Sequence, residues 1–358
     1  MSYSANKGEW SELYAFFKLL AEGRLYSGDG NLNILRDRFF PILAIYRNDS
    51  DDRLSYVIDS AKKHILISGT SHEITVPQST FLSESESLLN FIRNLKGSSE
   101  AYPSLEEFME QIRVDSVKAK SSDKADIRIK THDFRTGKEP EMGYSIKSRL
   151  GGSSTLINSA GDSTNFVFSL GKIGSTLISE FNKMDRFKKK FDLLKQHSIV
   201  PKWVGVGSRT FYNNLMMIDT CLPWIIGECL LYYYSGNAHT IVEAERLLRE
   251  LNPLKFDISS QPHFYEYKLK QFLLAFALGM TAAKPWNGKF AANGGYIVVK
   301  EDGEIVCYHF FDRNDLEDYL FNNTYFDTPS TKRHNFGDIY NTDADDFLKL
   351  NLQVRFIS

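Results

Sequence analysis

Hydrophobic positions recur along the chain with two different periods, which predicts a mixture of helices and strands. The segment 6–23 is predicted to be a helix, because its apolar residues share one face and a glycine follows them: Trp10, Leu13, Phe17, Leu20 and Gly23. Further helices are predicted over 79–98 and 104–114, the second with Ser104 as its N-cap and Glu107 completing a capping box. Strands are predicted over 39–47, 54–59 and 64–69.

The segment from Ala125 to Ser148 predicts an antiparallel hairpin. "ADIRIKT" and "GYSIKS" both alternate between apolar and polar residues, and a Thr-Gly-Lys turn signal lies between them. Side chains on a strand repeat with period two. If the apolar faces of both strands pack into the core, Asp126 and Lys147 point into one cleft.

The remainder of the chain also predicts mixed structure. After a loop rich in Gly, Ser and Asn (151–165), the prediction is a strand (165–170), mostly helix (175–251), a further helix (264–280), a hairpin (294–311), a short helix (316–321) and a strand (350–356). The sequence contains no internal repeat and no long linker. We therefore expect an α/β (α+β) fold in one domain, 1–358, with a mixed sheet flanked by helices. Within this domain a core that contains the cleft is expected over about 1–170, and helical and hairpin elaborations are expected over about 171–358.

Composition narrows the possible classes of protein. The 358 residues are 42% hydrophobic and 25% charged with a formal net charge of -2, which is typical of a globular protein and excludes a uniformly basic nucleic-acid coat. Three cysteines without a CxxC pair argue against a disulfide framework and a structural zinc site. The most apolar segment, 221–234, is too short to span a bilayer and contains Glu228. We therefore expect a buried helix there, no membrane partner and a cytoplasmic location.

The predicted cleft has the chemistry of phosphodiester hydrolysis. A carboxylate at Asp126 would hold a divalent cation, Mg²⁺, on the scissile phosphate, and the Lys147 ammonium would neutralise developing charge or orient the attacking water. Taken alone, an Asp followed by Ser-x-Lys also fits a surface hairpin with solvated charges.

One acid is missing from the usual form of such a site. Ser145 stands two residues before Lys147, where a second carboxylate is normal, so another acid must complete the metal site. Glu12 borders the apolar stripe of the first helix and is the favoured candidate. Glu9 on the same helix is better explained by interaction with the helix dipole. Glu141, which shares the strand face of Ser145 and Lys147, remains the competing metal ligand.

Several long blocks of the sequence resemble HpaII-type restriction endonucleases. They are "NKGEWSELYAFFKLLAEGRLY", "GYSIKSRLGGSSTLINSAGDSTNF", "CYHFF", "TPSTKRHNFG" and "LNLQVRF", and the resemblance runs over most of the chain. It implies a nuclease of the PD-(D/E)xK superfamily that needs Mg²⁺ and cuts both strands of the palindrome CCGG after the first cytosine, leaving a 5′ overhang. Asp126 and Lys147 match the motif, whereas Ala125 replaces a frequent proline and Ser145 replaces the second acid.

Candidate DNA contacts lie beside the scissile phosphate and in a distant basic segment. Guanine edges require Arg or Lys donors, and phosphates accept from small polar side chains. The candidates are Arg149, Ser153, Ser154, Thr155, Asn158, Asn165, Arg209, Lys332, Arg333 and His334. Each also fits an ordinary loop or surface position. The cationic segment 183–195 has apolar residues at helical spacing, so it is interpreted as an amphipathic helix with a solvated face.

Other classes of function leave different signatures. No Walker loop or GxGxxG motif is present, and "GVGSRTF" lacks the phosphate-binding lysine, so no nucleotide cofactor is expected. Two alternatives remain: a structure-selective repair or recombination nuclease, and a catalytically silent DNA-binding protein on a nuclease fold. The long C-terminal elaboration favours sequence readout on double-stranded DNA. A palindromic target favours a homodimer on that DNA.

Overall fold

The structure, a computed structural model, describes residues 3–49, 52–70, 73–118 and 125–357. The strands in the first half are β1 (Ser4–Ala5), β2 (Arg24–Gly28), β3 (Ile34–Asp49), β4 (Asp52–Asp59), β5 (His64–Ser68), β6 (Glu73–Pro77), β7 (Glu100–Ala101), β8 (Ile127–Thr131) and β9 (Glu141–Ser148). Those in the second half are β10 (Thr155–Ile157), β11 (Asn165–Ser169), β12 (Lys202–Val206), β13 (Gly295–Val299), β14 (Ile305–His309), β15 (Thr324–Phe326), β16 (Ile339–Asn341), β17 (Asp346–Asn351) and β18 (Val354–Phe356).

Helices flank these strands on both sides. They are α1 (Lys7–Glu22), α2 (Gln78–Asn94), α3 (Glu106–Gln111), α4 (Ser175–Asn182), α5 (Phe187–Gln196), α6 (Arg209–Ile218), α7 (Leu222–Tyr234), α8 (Ile241–Leu251), α9 (Phe264–Leu278), α10 (Arg313–Asn322) and α11 (Thr331–His334). The predicted mixed α/β architecture is confirmed.

A nine-stranded mixed sheet forms the centre of the molecule. Its strand order is β2-β14-β13-β9-β8-β3-β4-β5-β6, and a further pairing of β2 with β3 joins six strands into a ring. Most neighbours are antiparallel, but β13 runs parallel to β9. Because successive side chains of a strand point to opposite faces of a sheet, alternate residues of β13 pack in two different cores. Tyr296 and Val298 pack in the core that contains α6 to α10, whereas Ile297 and Val299 pack in the core that contains α1 to α3.

The first helix has the boundaries and the buried face that its pattern predicts. Trp10, Leu13, Phe17 and Leu20 are all fully buried. Asn6 and Glu9 form a reciprocal capping box at its start, and Gly23 ends it in the left-handed conformation with φ 63°. The predicted cap at Ser104 is wrong, because that residue lies inside a short 3-10 helix (Pro103–Leu105) and α3 begins without a side-chain cap.

The predicted boundary near residue 170 does not divide the sheet. Strands β13 and β14 come from the C-terminal half and insert between β2 and β9. Conversely, β10 and β11 pair with C-terminal strands, in sheets ordered β10-β18-β15 and β12-β11-β17-β16. The reason is that a parallel partner for β9 can only arrive through a long crossover connection. The chain thus builds its central sheet from both halves.

The apolar segment 221–234 forms α7, a mostly buried helix as predicted. Within the described ranges no single helix is long and apolar enough to cross a membrane. Of the helices described, only α6 and α7 taken as a pair, with an angle of 107° between them, reach the length and apolar composition of a span.

Candidate active site

The hairpin of β8 and β9 brings Asp126 and the Ser-Ile-Lys triplet together. Ile127 pairs with Tyr144 in antiparallel register, and the backbone N–H of Asp126 donates to the Tyr144 carbonyl at 2.8 Å. The two strands approach closely here, since a Cβ atom on Gly143 would lie 2.7 Å from that of Ala125. A small residue before Asp126 therefore suits the packing of this hairpin.

Two donors fix the Asp126 carboxylate. The Ser145 hydroxyl donates to Oδ2 at 3.0 Å, and the backbone N–H of Ile146 donates to the same oxygen at 2.7 Å. Both of these hydrogen bonds, which are the ones found among the described residues, end on Oδ2 of the carboxylate. The two bonds restrict the orientation of the carboxylate. Ser145 therefore acts on Asp126 instead of supplying a second negative charge.

Glu12, on α1, lies beside Asp126. Together with Phe16, Tyr46, Arg47 and Ile127, the two acids line a pocket of about 10 Å³, close to the smallest volume that holds a water molecule. The pKa of Glu12 is raised to about 7, first by burial and next by the neighbouring Asp126 carboxylate, while Lys118 and Lys147 act in the opposite direction. Glu12 thus lies next to Asp126, as a second acid of the site would have to.

The donor set fits a hard divalent cation. Two neighbouring carboxylates that repel each other, of which Glu12 is desolvated, are stabilised by a cation between them, and Mg²⁺ prefers carboxylate, water and phosphate oxygens. Within the part of the chain that the structure describes, no cluster of three or more His, Cys, Asp or Glu side chains could hold a metal. Asp126 and Glu12 would therefore share such an ion with waters, backbone or DNA oxygens.

Lys147 rests on an aromatic ring that the sequence analysis did not identify. Its Nζ lies 6.0 Å from the centroid of Tyr296, and Tyr296 is the register partner of Ser145 on β13. Burial raises the pKa of the Tyr296 hydroxyl, the Asp126 carboxylate raises it further, and a hydrogen bond with the Ser145 side chain lowers it. Only a signal for β9–β13 pairing could have revealed Tyr296 beforehand.

The other two candidate acids lie elsewhere. Glu9 accepts a hydrogen bond from the backbone N–H of Asn6 at 3.0 Å as part of the α1 capping box, which agrees with its predicted helix-end role. Glu141 is the first residue of β9, about 20 Å from Lys147 along an extended strand. It forms a 2.5 Å salt bridge with Arg53. Glu12, and not these two acids, is therefore adjacent to Asp126.

The predicted DNA-contacting loop is attached to the C-terminal strand. The Arg149 guanidinium donates to the Ile357 carbonyl at 2.7 Å, and Arg355 donates to the Ser153 carbonyl at 2.9 Å. Thr155 begins β10 and pairs with Arg355. Ser154 accepts a backbone hydrogen bond from Phe356 and Asn158 is exposed. The hydroxyls of this loop are partly exposed, whereas the Arg149 side chain is used within the fold.

Asn165 is fully buried and has a structural role. Its amide donates to the carbonyls of His334 and Asn335 and to Asp162, and its oxygen accepts from Asn351 at 2.6 Å. These bonds use its polar atoms inside the protein, so the expected phosphate contact is not compatible with its position. The same network joins the loop to the basic segment, which the sequence left unconnected.

The basic segment 331–334 forms α11 beside this loop. His334 Nδ1 accepts from the Gly161 N–H at 3.1 Å, and burial followed by the nearby Arg333 lowers the pKa of His334. Lys332 and Arg333 are exposed and make no salt bridge among the described residues. A groove of about 360 Å³ runs beside them, lined by Thr331, Lys332, Asn335, Phe336, Asp338, Tyr340 and Lys349.

The remaining basic candidates are dispersed. Arg209 is exposed at the first turn of α6, where Ser208 caps the helix. The segment 183–195 contains the amphipathic helix α5, and Lys190 on it is buried and pairs with Asp338 at 2.9 Å. Lys349, which the sequence analysis did not identify, extends the groove next to Lys332. It is half-buried and pairs with Asp162 at 3.3 Å, and only its position between the apolar Leu348 and Leu350 on β17 could have indicated it from the sequence.

Comparisons with known proteins match the family that the sequence blocks resemble. The family model of the HpaII restriction endonuclease matches residues 6–356. The chain is 43% identical over 356 residues to the Type II restriction enzyme HpaII of Haemophilus parainfluenzae, with 99% of each chain covered. No solved structure matches the chain.

Proposed function

We propose, on the premise that the chain belongs to the HpaII restriction endonuclease family, that it cuts both strands of CCGG after the first cytosine and requires Mg²⁺. The protein is a type II restriction endonuclease, and its substrate is DNA. The target sequence and the metal come from the family resemblance. The site geometry supports the metal requirement.

One observation carries the proposal. Ser145 and Ile146 on β9 hold the Asp126 carboxylate beside Glu12, and Lys147 follows them on β9. A carboxylate whose orientation is fixed in advance needs little reorganisation when a phosphate arrives. Asp126 and Glu12 would hold Mg²⁺, which when bound neutralises the scissile phosphate and activates water. Lys147 carries the positive charge that faces the charge developing on the phosphate oxygens.

DNA is proposed to lie across the active site and the groove beside α11. Ser153, Ser154, Thr155 and Asn158 follow Lys147 closely in the chain and suit phosphate contacts. Lys332, Arg333 and Lys349 supply positive charge around the groove, which favours a polyanion. Arg209, which is exposed, and His334 would make supporting contacts, whereas Arg149 already donates to the Ile357 carbonyl within the fold. Base readout of guanine is best suited to an arginine or lysine.

The assembly and the compartment are also proposals. A palindromic site has two-fold symmetry, so a homodimer would place one active site on each strand. Three free cysteines suit a reducing cytoplasm, where a restriction enzyme would meet incoming DNA.

The test uses purified protein and two plasmids that differ only in whether they contain one CCGG site. Incubation with Mg²⁺ should linearise the plasmid with the site, and sequencing of the ends should map the cut after the first cytosine. The same reaction with EDTA should leave both plasmids intact. Equal cleavage of both plasmids, or cleavage only of branched DNA, would contradict the proposed target.

A further inference from the structure

Tyr296 is far from the hairpin in sequence but adjacent to it in space. It lies on β13 directly opposite Ser145 on β9, in the parallel register that also places Val298 opposite Lys147. Side chains at paired positions of neighbouring strands project from the same face of a sheet. Tyr296 therefore shares a face with the two polar residues of the Ser-Ile-Lys triplet.

We propose that Tyr296 is a positioning residue for DNA cleavage, whose hydroxyl orients Ser145, and through it Asp126, while its ring supports Lys147. This inference rests on the proposed function of Asp126 and Lys147. It adds a residue from the C-terminal half of the chain to the site, and it gives Ser145 a role as the link between them.

The hydroxyl contacts form a short chain. Tyr296 is only 2% exposed and Ser145 is 6% exposed, so neither hydroxyl has ready access to water as an alternative partner. Burial raises the pKa of the Tyr296 hydroxyl and the Ser145 side chain opposite it acts in the other direction, as a hydrogen-bonding neighbour does. A hydrogen bond between these two side chains is the proposed first link of the chain. A serine hydroxyl can accept one hydrogen bond while it donates another, and that of Ser145 donates to Asp126 Oδ2 at 3.0 Å. Loss of the first bond would release the rotamer of Ser145.

The ring contributes a second contact. Lys147 Nζ lies 6.0 Å from the ring centroid, within the range in which a cation is attracted to an aromatic face. This contact restricts where the ammonium can lie on the site side of the sheet. Phenylalanine would preserve it, whereas leucine would remove it, so the two roles of Tyr296 can be separated by substitution.

Simple packing does not account for the hydroxyl. A buried tyrosine needs a partner for its O–H, and phenylalanine would fill the same space without that need. Tyr308 provides a matched comparison on the neighbouring strand, where it pairs with Tyr296 and is 1% exposed. Its hydroxyl donates to the backbone carbonyl of Asp29 at 2.6 Å, so it stabilises the fold without touching the site.

The experiment compares Tyr296→Phe with Tyr308→Phe. Single-turnover cleavage of a CCGG duplex by Tyr296→Phe should slow about 3- to 10-fold, the size expected for one neutral hydrogen bond. DNA affinity in Ca²⁺ should stay within about 2-fold of wild type. The affinity of the protein for Mn²⁺, measured by electron paramagnetic resonance, should also fall about 3- to 10-fold, because the same hydrogen bond orients the Asp126 carboxylate that would bind the metal. Tyr308→Phe should cleave and bind Mn²⁺ as wild type even if its melting temperature falls.

The link through Ser145 is tested by a double-mutant cycle. In the Ser145→Ala background, Tyr296→Phe should slow cleavage by less than about 2-fold, because its route to Asp126 is already broken. Tyr296→Leu should slow cleavage further than Tyr296→Phe, because Lys147 then loses the ring. Wild-type cleavage and Mn²⁺ binding by Tyr296→Phe, or effects that simply multiply with Ser145→Ala, would overturn the proposal.

Failure of this inference and failure of the proposed function give different results. Asp126→Asn is measured alongside the tyrosine variants. If Asp126→Asn cleaves as wild type, the proposed active site is wrong. If Asp126→Asn is inactive while Tyr296→Phe behaves as wild type in both assays, the active site stands and the role of Tyr296 is refuted.

Discussion

Ser145 donates a 3.0 Å hydrogen bond to Oδ2 of Asp126. The residue that replaces the expected second acid thus orients the first acid, and the acid beside Asp126 is Glu12, on another element. This arrangement separates two duties that one strand carries in the usual form of the site. It predicts different consequences for removing the two acids and for removing the serine.

The catalytic pair is tested by Asp126→Ala and Lys147→Ala. Each should slow cleavage by at least about 100-fold, because each removes a charge that faces the metal or the phosphate. The fold should persist, since neither side chain is in the apolar core. Lys130→Ala on the same hairpin, where Lys130 pairs with Glu139 at 3.0 Å, serves as control and should retain activity. Near-normal cleavage by either site variant in a timed plasmid assay would exclude the assignment.

The identity of the second acid is tested by comparing Glu12→Gln with Glu141→Gln. Glu12→Gln should slow cleavage about 100-fold or more with little change in DNA binding in Ca²⁺, because it keeps shape and removes charge. Glu141→Gln removes a charge that pairs with Arg53 at 2.5 Å and with Arg128 at 3.9 Å, away from Asp126, so cleavage should remain. The reverse result, an inactive Glu141 variant and an active Glu12 variant, would move the metal site to the other end of β9.

The contribution of Glu12 to the free energy of unfolding of the metal-free protein should decrease as the pH rises from about 4.5 to 7. The folded protein holds the Glu12 proton up to a pKa of about 7, whereas the unfolded chain releases it near the ordinary glutamate pKa of 4.5. This contribution is therefore fully present below pH 4.5 and is lost as the pH rises through 7, which lowers the free energy of unfolding by on the order of 1 to 3 kcal/mol.

Urea unfolding in EDTA across this pH range measures the effect. Glu12→Gln cannot ionise, so its unfolding free energy should lack this decrease and should exceed that of the wild type at pH 8. An identical pH dependence in the two proteins would show that Glu12 is not desolvated beside Asp126.

The groove beside α11 is tested by Lys332→Ala. Loss of one phosphate contact should weaken binding to duplexes with and without CCGG alike, and should reduce the slope of log affinity against log salt by about 0.9. Lys96→Ala is the matched control, since Lys96 is also exposed but follows α2 on the other side of the sheet. Titrations at several salt concentrations in Ca²⁺ measure both slopes, and equal slopes for Lys332→Ala and wild type would remove the groove from the DNA interface.

A homodimer on DNA predicts two chains per CCGG duplex. Sedimentation of the protein with a short duplex in Ca²⁺ should give a two-to-one complex, and plasmid cleavage should yield linear product with little nicked intermediate. A one-to-one complex with accumulated nicked circles would establish cleavage by a monomer.

The sequence by itself determined the local parts of the site. Period-two alternation placed Asp126 and Lys147 on one hairpin, and the apolar stripe of α1 placed Glu12 at the edge of the core. These inferences succeed because neighbouring residues fix the direction of a side chain on a strand or helix. The N-cap of α3 was predicted at the wrong residue, because a 3-10 turn over Pro103–Leu105 competes locally with the α-helical cap.

Tertiary structure alone decided the contacts between distant segments. Tyr296 reaches Ser145 because β13 pairs in parallel with β9, and no local pattern specifies which distant strand becomes a partner or in what register. Asn165 has the composition of a DNA contact but is buried by its bonds to Asn351 and the 334–335 backbone. The physical reason is the same in both cases. The short-range periodicity of a chain fixes which way a side chain points, whereas long-range packing fixes what it meets.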